Sequence, residues 1–354
     1  MSRFRPTANS QQATLIMSMP YRRLDPSKQE IRLLELHPAR GINDDVEARL
    51  VTVRLTDKPD FIALSSLYGD ANETDRVYVG GRPVELPSHL VQGLKHVRAV
   101  FYPTISLRYQ RKPARKPHGA PRWLRQLLGM SSSKDSKTYY DPDKPRMLRV
   151  WLDIICVNQG DEGEKSRQLV EMRAIYRSAE LVVGWLGVKA ETTDAAMSCL
   201  SDIEDAMPAR WGDPGDREKN PDDYAPTHRW ASTITYLWAV GPKGESPFTL
   251  PHWAGCHDFM SRQYFQRRWI LEEISMARFP CFLIGDIIVP WKQILRLNRM
   301  MEEFKNNDSN VWPATAHKLL DEFAKKEALE DAKILRDHDS RTTSSTRSDS
   351  NSNV

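Results

Sequence analysis

The sequence has 354 residues, of which 40% are hydrophobic and 28% are charged, values typical of an ordinary globular protein. A net charge of +4 is small against 51 basic and 47 acidic side chains, so composition gives no argument for specific nucleic-acid binding. Four dispersed cysteines without a CxxC pair fit a reducing compartment better than a secreted disulfide scaffold. Since no apolar run approaches the ~20 residues of a membrane helix, and residues 15–19 are too short for a signal peptide, we expect a cytoplasmic protein.

The N-terminal part of the chain predicts strands after a flexible, polar start at residues 1–20. Alternation of apolar and polar side chains is typical of a half-buried strand, and a short, more apolar run is typical of a buried one. These patterns predict strands at residues 30–36, 51–55 and 61–65.

A hairpin and a helix are expected next. Residues 77–86 read as two short strands joined at Gly80 and Gly81, which tolerate the positive φ angles of a tight turn. Ser88 is suited to capping a helix over residues 89–98, with Leu90, Leu94 and Val97 on one face.

A basic insertion interrupts this pattern at residues 103–147. Residues 107–134 contain no acidic side chain, while seven arginines and lysines lie among prolines at 107–125. Such a stretch is suited to contacting anionic partners such as phosphates or acidic lipids. The simpler interpretation is a solvated linker that binds nothing.

The central block predicts a βαβ unit. Residues 148–157 are almost continuously apolar, as in a strand buried on both faces of a parallel sheet. Residues 181–186 have the same character, and a helical pattern separates the two runs. We therefore expect the stretches around Trp151 and Trp185 to lie side by side in one sheet.

The helix between these strands has a clear predicted start. Asp161 and Glu164 stand at the N-cap and N3 positions, a carboxylate version of the capping box. Its buried stripe is predicted to contain Leu169, Met172, Tyr176 and Ala179.

The C-terminal part is predicted to be mainly helical. A hairpin is expected at residues 281–289, turning on Gly285 and Asp286. The other expected elements are helices at residues 190–207, 230–240, 253–262 and 264–277, a loop at 208–228, a charged helical extension at 291–338 and a disordered tail at 339–354.

Four segments, in order, resemble the fungal heterokaryon incompatibility (HET) domain family. Residues 61–70 resemble its opening motif, aromatic-x-A-L-S-Y-x-W-G-D, and residues 77–98 resemble "V-N-G…V-x-L…N-L-x-x-A-L-x-x-L-R". Residues 148–187 are similar, almost position for position, to "L-W-I-D-A-I-C-I-N-Q-x-D…V-x-x-W-L-G", and residues 264–273 to "F-x-R-x-W-x-x-Q-E". The chain departs from these motifs at Ser66, Tyr68 and Glu272, where an aromatic residue, tryptophan and glutamine are usual.

This resemblance implies a HET domain over residues 21–290, with its core motifs at 61–277. It also implies a function as the toxic effector of fungal self/non-self recognition, leading to programmed cell death. Expected partners are a second copy of the chain or another incompatibility protein, because no sensor or repeat domain is attached.

HET domains are in turn similar to TIR domains, which implies a TIR- or flavodoxin-like α/β fold. Its parallel sheet would carry added N-terminal strands, a hairpin and a helical C-terminal extension. In enzymatic TIR domains a glutamate on a "W-x-x-x-E-I" helix cleaves NAD between nicotinamide and ribose; its counterpart here is Glu273. The site would lie at the carboxyl ends of the parallel strands. The residues placed around the substrate are Ser65, Asp153, Asn158, Gln159, Arg268 and Trp269.

This chemistry is physically coherent. Breaking the N-glycosidic bond builds positive charge on the ribose, which a carboxylate stabilises. Nicotinamide leaves as a neutral group, so no general acid is required. NAD would be the substrate, and no other cofactor is indicated. No metal is expected, because no second ligand pair follows His252, Cys256 and His257.

Simpler interpretations remain open for several of these residues. Glu273 could be an exposed helix carboxylate. Asp153 could accept hydrogen bonds from the backbone of the turn at residues 158–161. Arg267 and Arg268 could form structural ion pairs rather than bind a phosphate. Trp151, Trp185 and Trp269 could belong to the core.

Two other functions also remain open. The protein could be a signalling adaptor that acts by self-association without chemistry of its own. It could also be a diverged, inactive member of the family, which the residues at Ser66 and Tyr68 would fit.

Overall fold

The computed structural model describes residues 19, 21–70, 72–109, 147–213, 215–225, 227–234, 250–267, 270–277, 279–303 and 320; the side chains of residues 103–109 and 270–272 are not described. The expectations for the N-terminal segment, most of the basic insertion, Arg268, Trp269, and the tail lie outside these residues. The chain divides into two compact units, residues 1–189 with 272–290, and residues 190–271 with 291–354.

The first unit is built on one mixed sheet. Its order is β5-β4-β2-β1-β6-β3-β7-β8-β9. Within the described residues the strands are β1 (Glu30–Leu36), β2 (Val46–Arg54), β3 (Ile62–Ser66), β4 (Thr74–Val79), β5 (Arg82–Pro87), β6 (Leu148–Trp151), β7 (Leu181–Gly187), β8 (Pro280–Ile284) and β9 (Ile287–Pro290).

Helices accompany the sheet and form most of the described part of the second unit. No described helix is both long and apolar enough to cross a bilayer. The described helices are α1 (Ser88–Tyr109), α2 (Asp153–Cys156), α3 (Glu162–Ser178), α4 (Thr193–Ala206), α5 (Asp216–Lys219), α6 (Arg229–Ser232), α7 (Pro251–Ser261), α8 (Ile270–Met276) and α9 (Trp291–Glu303), with 3-10 turns at Pro26–Lys28, Leu55–Asp57, Pro221–Tyr224 and Gln263–Gln266.

The four strands β6, β3, β7 and β8 are parallel to one another. Numbered along the chain, their spatial order is 2-1-3-4, the order found in flavodoxin-like sheets. Antiparallel pairs join β1 to β2, β1 to β6, β4 to β5, and β8 to β9. The predicted α/β fold with a parallel centre and added N-terminal strands is therefore confirmed.

The stretches around Trp151 and Trp185 do lie in one sheet, but they are not neighbours. β3 lies between them, pairing Ile62 with Val150 on one side and with Leu181 on the other. The prediction that the two strands lie side by side was wrong. Adjacency along the chain favours adjacency in a sheet, and the doubly wound order overrides that tendency here.

The strand predicted at residues 148–157 is also shorter than expected. β6 ends at Trp151, and residues from Asp153 onward form the short helix α2. The N–H groups of Cys156 and Val157 donate to the carbonyls of Leu152 and Asp153, at 2.8 and 3.0 Å. A continuous apolar run does not distinguish a buried strand from a buried helical turn.

The predicted stripe of α3 was wrong at one position. Leu169 is 61% exposed, and its neighbour Val170 is 80% exposed. The inward face instead carries Glu164 and Gln168 together with Ile175, Tyr176 and Ala179. The helix therefore buries polar groups and leaves an apolar pair on its outside.

The other predicted elements differ mainly at their ends. The hairpins at Gly80–Gly81 and at Gly285 have the expected positive φ angles, 59°, 76° and 56°. α1 continues to Tyr109, well past residue 98 and into the region predicted to be insertion. Its Leu90, Leu94 and Val97 are fully buried, as predicted.

The second unit contains a tight helix pair and an ordered loop. A Cβ atom at Gly255 of α7 would lie 2.3 Å from the Thr192 carbonyl oxygen, so only glycine permits this approach. Residues 208–228, predicted to be loop, include α5 and a 3-10 turn. There Asp216 is buried and accepts a hydrogen bond from the hydroxyl of Tyr224 at 3.0 Å.

Candidate functional site

Ser65 and Glu273 meet at the carboxyl edge of the parallel strands. The Ser65 hydroxyl donates a hydrogen bond to Glu273 Oε2. Both residues are buried, with exposed fractions of 2% and 6%. Glu273 is therefore not an exposed helix carboxylate, and a buried carboxylate requires such a partner.

The position of Ser65 is fixed by the register of β3. It pairs with Gly184 of β7, so it lies where the first parallel strand along the chain borders the third. In doubly wound sheets this reversal of strand order opens the crevice in which ligands bind.

Asp153 follows the carboxyl end of β6, the strand next to the one that carries Ser65. Ala63 pairs with Trp151 across β3 and β6, and Ser65 and Asp153 each follow two residues later. Ser65, which holds Glu273, and Asp153 therefore share one edge of the sheet.

The carboxylate of Asp153 receives two hydrogen bonds. The Tyr68 hydroxyl donates to Oδ2 at 2.7 Å, and the Ile154 N–H donates to Oδ1 at 2.8 Å. Asp153 is half-buried. The interpretation of Asp153 as acceptor for the turn at residues 158–161 was wrong: the N–H groups of Asn158, Gly160 and Asp161 donate to Glu164 and to Asn158 instead.

Asn158 and Gln159 bind their own loop. The Asn158 side-chain oxygen accepts from the Gly160 N–H at 3.1 Å. Gln159 Nε2 donates to the carbonyls of Asp153 and Val157, at 3.1 and 3.3 Å. In this structure the two side chains thus fix the loop that carries Asp153, and a direct role in binding substrate stays a prediction.

A buried ion pair holds this loop against β1. Arg32 Nη1 and Nη2 lie 2.6 and 2.9 Å from the two carboxylate oxygens of Glu164. The same guanidinium donates to the Cys156 carbonyl, and Glu164 Oε1 accepts from the Asn158 N–H at 2.8 Å. Both ends of the segment from Cys156 to Asn158 are therefore anchored.

The start of α3 is not a full capping box, because the side chain of Glu164 is engaged by Arg32. The Asp161 carboxylate accepts from the Glu164 N–H at 2.9 Å, which confirms Asp161 as the N-cap. The side chain of Glu164 binds Arg32 rather than returning to the Asp161 N–H. That backbone hydrogen bond with Glu164 holds the pKa of Asp161 below its ordinary value.

Tyr21 extends the anchor to the N-terminal segment. Its ring lies 4.7 Å from the guanidinium carbon of Arg32, and its hydroxyl donates to the Ile155 carbonyl at 2.9 Å. Burial raises the pKa of Tyr21 above its ordinary value. This cluster was not predicted; its signal in the sequence is a charged Arg32 between the apolar residues Ile31 and Leu33.

The neighbouring edge, at β7 and β8, is organised around Trp185. Its indole N–H donates to the His89 carbonyl at 2.9 Å, and His96 stacks on its ring at 4.9 Å. Burial lowers the pKa of His96. Trp151 and Trp185, 1% and 0% exposed, belong to the core.

The remaining candidates contribute little to this edge. Arg267 belongs to the second unit, where its guanidinium lies 5.7 Å from the Tyr264 ring centre. Within the described part of the chain, no three His, Cys, Asp or Glu side chains form a metal-binding group. Burial raises the pKa of the Cys156 and Cys281 thiols to about 12, so neither is a ready nucleophile.

Comparisons with known proteins point to one family. Residues 130–273 match the model described as heterokaryon incompatibility protein (HET). This range ends at Glu273 and includes β6, α3 and β7, but not the motifs at residues 61–70 and 77–98.

One curated relative extends this likeness. The chain is 28% identical over 297 residues to heterokaryon incompatibility protein 6, OR allele, of Neurospora crassa. The match covers 78% of this chain but 36% of the relative, so the chain spans about a third of that protein's length. No solved structure matches the chain. The family match and the relative both show that this chain is similar to heterokaryon incompatibility proteins.

Proposed function

We propose that the protein is a cytoplasmic effector of fungal self/non-self recognition that triggers programmed cell death. It would do so by cleaving the bond between nicotinamide and ribose in NAD, with Glu273 as the catalytic residue. The similarity to the Neurospora incompatibility protein supports the biological role. The observation that supports the chemistry is the buried Ser65–Glu273 pair at the carboxyl edge of the parallel strands.

The proposed reaction uses Glu273 as an electrostatic stabiliser. As the bond between nicotinamide and ribose C1′ breaks, the bonding electrons leave with nicotinamide, and C1′ gains oxocarbenium character. A carboxylate in a buried setting stabilises that charge more strongly than in water. Water then attacks C1′ and loses a proton, giving ADP-ribose and nicotinamide.

Ser65 would act as a positioning residue. Its hydroxyl donates to Oε2 of Glu273, which fixes the orientation of the carboxylate. Ser65→Ala should therefore reduce turnover more than it reduces NAD binding.

The test is nicotinamide release from NAD by purified protein. Glu273→Gln should abolish release, while Glu272→Gln, its neighbour in α8, should retain it. The assay should be run over a range of protein concentrations, with and without a crowding agent, because activity could depend on self-association. Equal release by Glu273→Gln and wild type would exclude Glu273 from the chemistry.

A second candidate function is a non-enzymatic adaptor. It is favoured by the exposed apolar pair on α3, Leu169 and Val170, because adjacent exposed apolar side chains are suited to contact with a partner. Viability of a fungal host expressing each variant separates the candidates. Killing that survives Glu273→Gln but is lost in Leu169→Ser/Val170→Ser would support the adaptor; the reverse would support the enzyme.

A further inference from the structure

Tyr68 is an exposed aromatic residue held in place at the candidate site. It follows β3 by two residues and is 44% exposed. Its hydroxyl donates to Asp153 Oδ2 at 2.7 Å. Next to it, Gly69 has a φ of 79°, and a Cβ there would lie 2.7 Å from Cβ of His89. The loop backbone and the hydroxyl thus both restrain the ring.

Asp153 has capacity for further hydrogen bonds. An ionised carboxylate can accept about four, and among the described residues Asp153 receives the two from Tyr68 and Ile154. The remaining capacity suits a ligand with two adjacent hydroxyl groups. A ribose 2′,3′-diol is such a ligand.

The charge of this pair favours a cationic ring. The face of an aromatic ring attracts cations, and the Asp153 carboxylate adds negative charge beside it. The nicotinamide ring of oxidised NAD is a cationic, flat pyridinium, whereas that of NADH is neutral. A ring stacked on Tyr68 would therefore be selected for its oxidised form.

We propose that Tyr68 and Asp153 bind the nicotinamide riboside half of NAD, with the ring on Tyr68 and the ribose diol on Asp153. This inference rests on the proposed cleavage of NAD at the same edge of the sheet. Asp153 and the Ser65–Glu273 pair lie at the same edge of the sheet, where β6 and β3 are neighbours, so a ribose held by Asp153 lies on the edge that carries Glu273.

The test measures binding separately from turnover. Glu273→Gln protein is titrated calorimetrically with NAD, nicotinamide mononucleotide and NADH. We expect the first two to bind, and NADH to bind about tenfold more weakly. In this background Tyr68→Ala should weaken NAD binding about tenfold by loss of stacking, and Asp153→Asn should weaken it about as much.

Conservative changes and a control sharpen the result. Tyr68→Trp keeps a stacking face and should bind NAD about as tightly as the parent. Tyr68→Phe loses the hydrogen bond to Asp153, so its affinity for NAD should lie between those of the parent and Tyr68→Ala. Tyr78→Ala, on β4, should bind NAD like the parent. Circular dichroism melting of every variant checks the fold.

The outcomes distinguish this inference from the proposed function. Equal binding of NAD and NADH, unchanged binding by Tyr68→Ala, or no binding of any ligand would overturn the inference. If these binding differences are found but wild type releases no nicotinamide, the proposed NAD cleavage is contradicted, while the Tyr68–Asp153 binding site is supported. If Tyr68→Ala releases nicotinamide with wild-type KM and kcat, the cleavage stands and the inference fails.

Discussion

Arg32 and Glu164, 132 residues apart in sequence, form a buried two-point ion pair between β1 and the first turn of α3. Their exposed fractions are 2% and 3%. Removing one partner leaves the other charge buried without compensation, whereas removing both does not. Replacing one partner should therefore lower the free energy of unfolding more than replacing both.

Arg32→Met should lower the free energy of unfolding by about 3–5 kcal/mol, and Arg32→Met/Glu164→Met should lower it by less. Urea unfolding followed by circular dichroism provides the values for a double-mutant cycle. As a control, Arg76→Met removes an exposed ion pair with Glu85, which has an N–O distance of 3.9 Å, and should cost less than about 1 kcal/mol. Additive effects of the two substitutions would mean that Arg32 and Glu164 are not coupled.

Loss of the N-cap of α3 has a smaller expected effect. Asp161→Ala should lower the free energy of unfolding, because the Glu164 N–H loses its acceptor. Asp161→Asn should retain most of the stability. Glu162→Ala, in the same turn but with a side chain 82% exposed, serves as the control in urea unfolding. Similar losses for Asp161→Ala and Glu162→Ala would argue against a specific cap.

The two core tryptophans should respond differently to the same substitution. Trp185→Phe loses a hydrogen bond to the His89 carbonyl. Trp151→Phe removes an indole N–H that is buried and has no acceptor among the described residues. Trp185→Phe should therefore cost about 1 kcal/mol more than Trp151→Phe. Thermal unfolding of both variants tests this difference, and an equal or reversed order would contradict it.

Acid sensitivity should depend in part on Glu35. Burial alone would raise the pKa of Glu35, but hydrogen bonds from Arg149 and Arg49 outweigh it and hold the pKa below the ordinary value. A depressed folded pKa means that the stabilisation is present above the unfolded pKa, about 4.3, and is lost as pH falls through the folded value.

Unfolding measured from pH 6 to pH 3 checks this expectation. Wild type should lose stability with falling pH more steeply than Glu35→Gln, which no longer has a proton to gain there. Some acid sensitivity should persist in the variant, since the pKa values of Asp161 and Asp286 are also lowered. Identical slopes for the two proteins would mean that Glu35 does not titrate in this window.

Local features of the fold could be predicted from the sequence because their causes are local. β1 begins and ends at the predicted residues, Glu30 and Leu36. Gly80 and Gly81 turn a hairpin by their own backbone freedom, and Asp161 caps a helix three residues from its partner. In such cases the pattern and the contact lie within one short segment.

The remaining features depend on contacts between distant segments. The position of β3 between β6 and β7 is set by the whole sheet, and an apolar run did not reveal that the chain turns at Asp153. At the candidate site, Glu273 and Asp153 were named from the family resemblance. Their partners Ser65 and Tyr68, 208 and 85 residues away, could be paired only from the structure.

The short strand β6 occupies the middle of the sheet although it is synthesised after both of its neighbours. Its neighbours are β1 and β3, both more than 80 residues earlier in the chain. Until Leu148–Trp151 emerges from the ribosome, the strand group around β1 and β2 and the strand β3 each retain an unpaired edge. Such edges recruit other strands. A nascent or truncated chain ending before residue 148 should therefore depend on chaperones and aggregate when released. A chain that includes β7 can pair all strands from β5 through β7 in the order of the sheet.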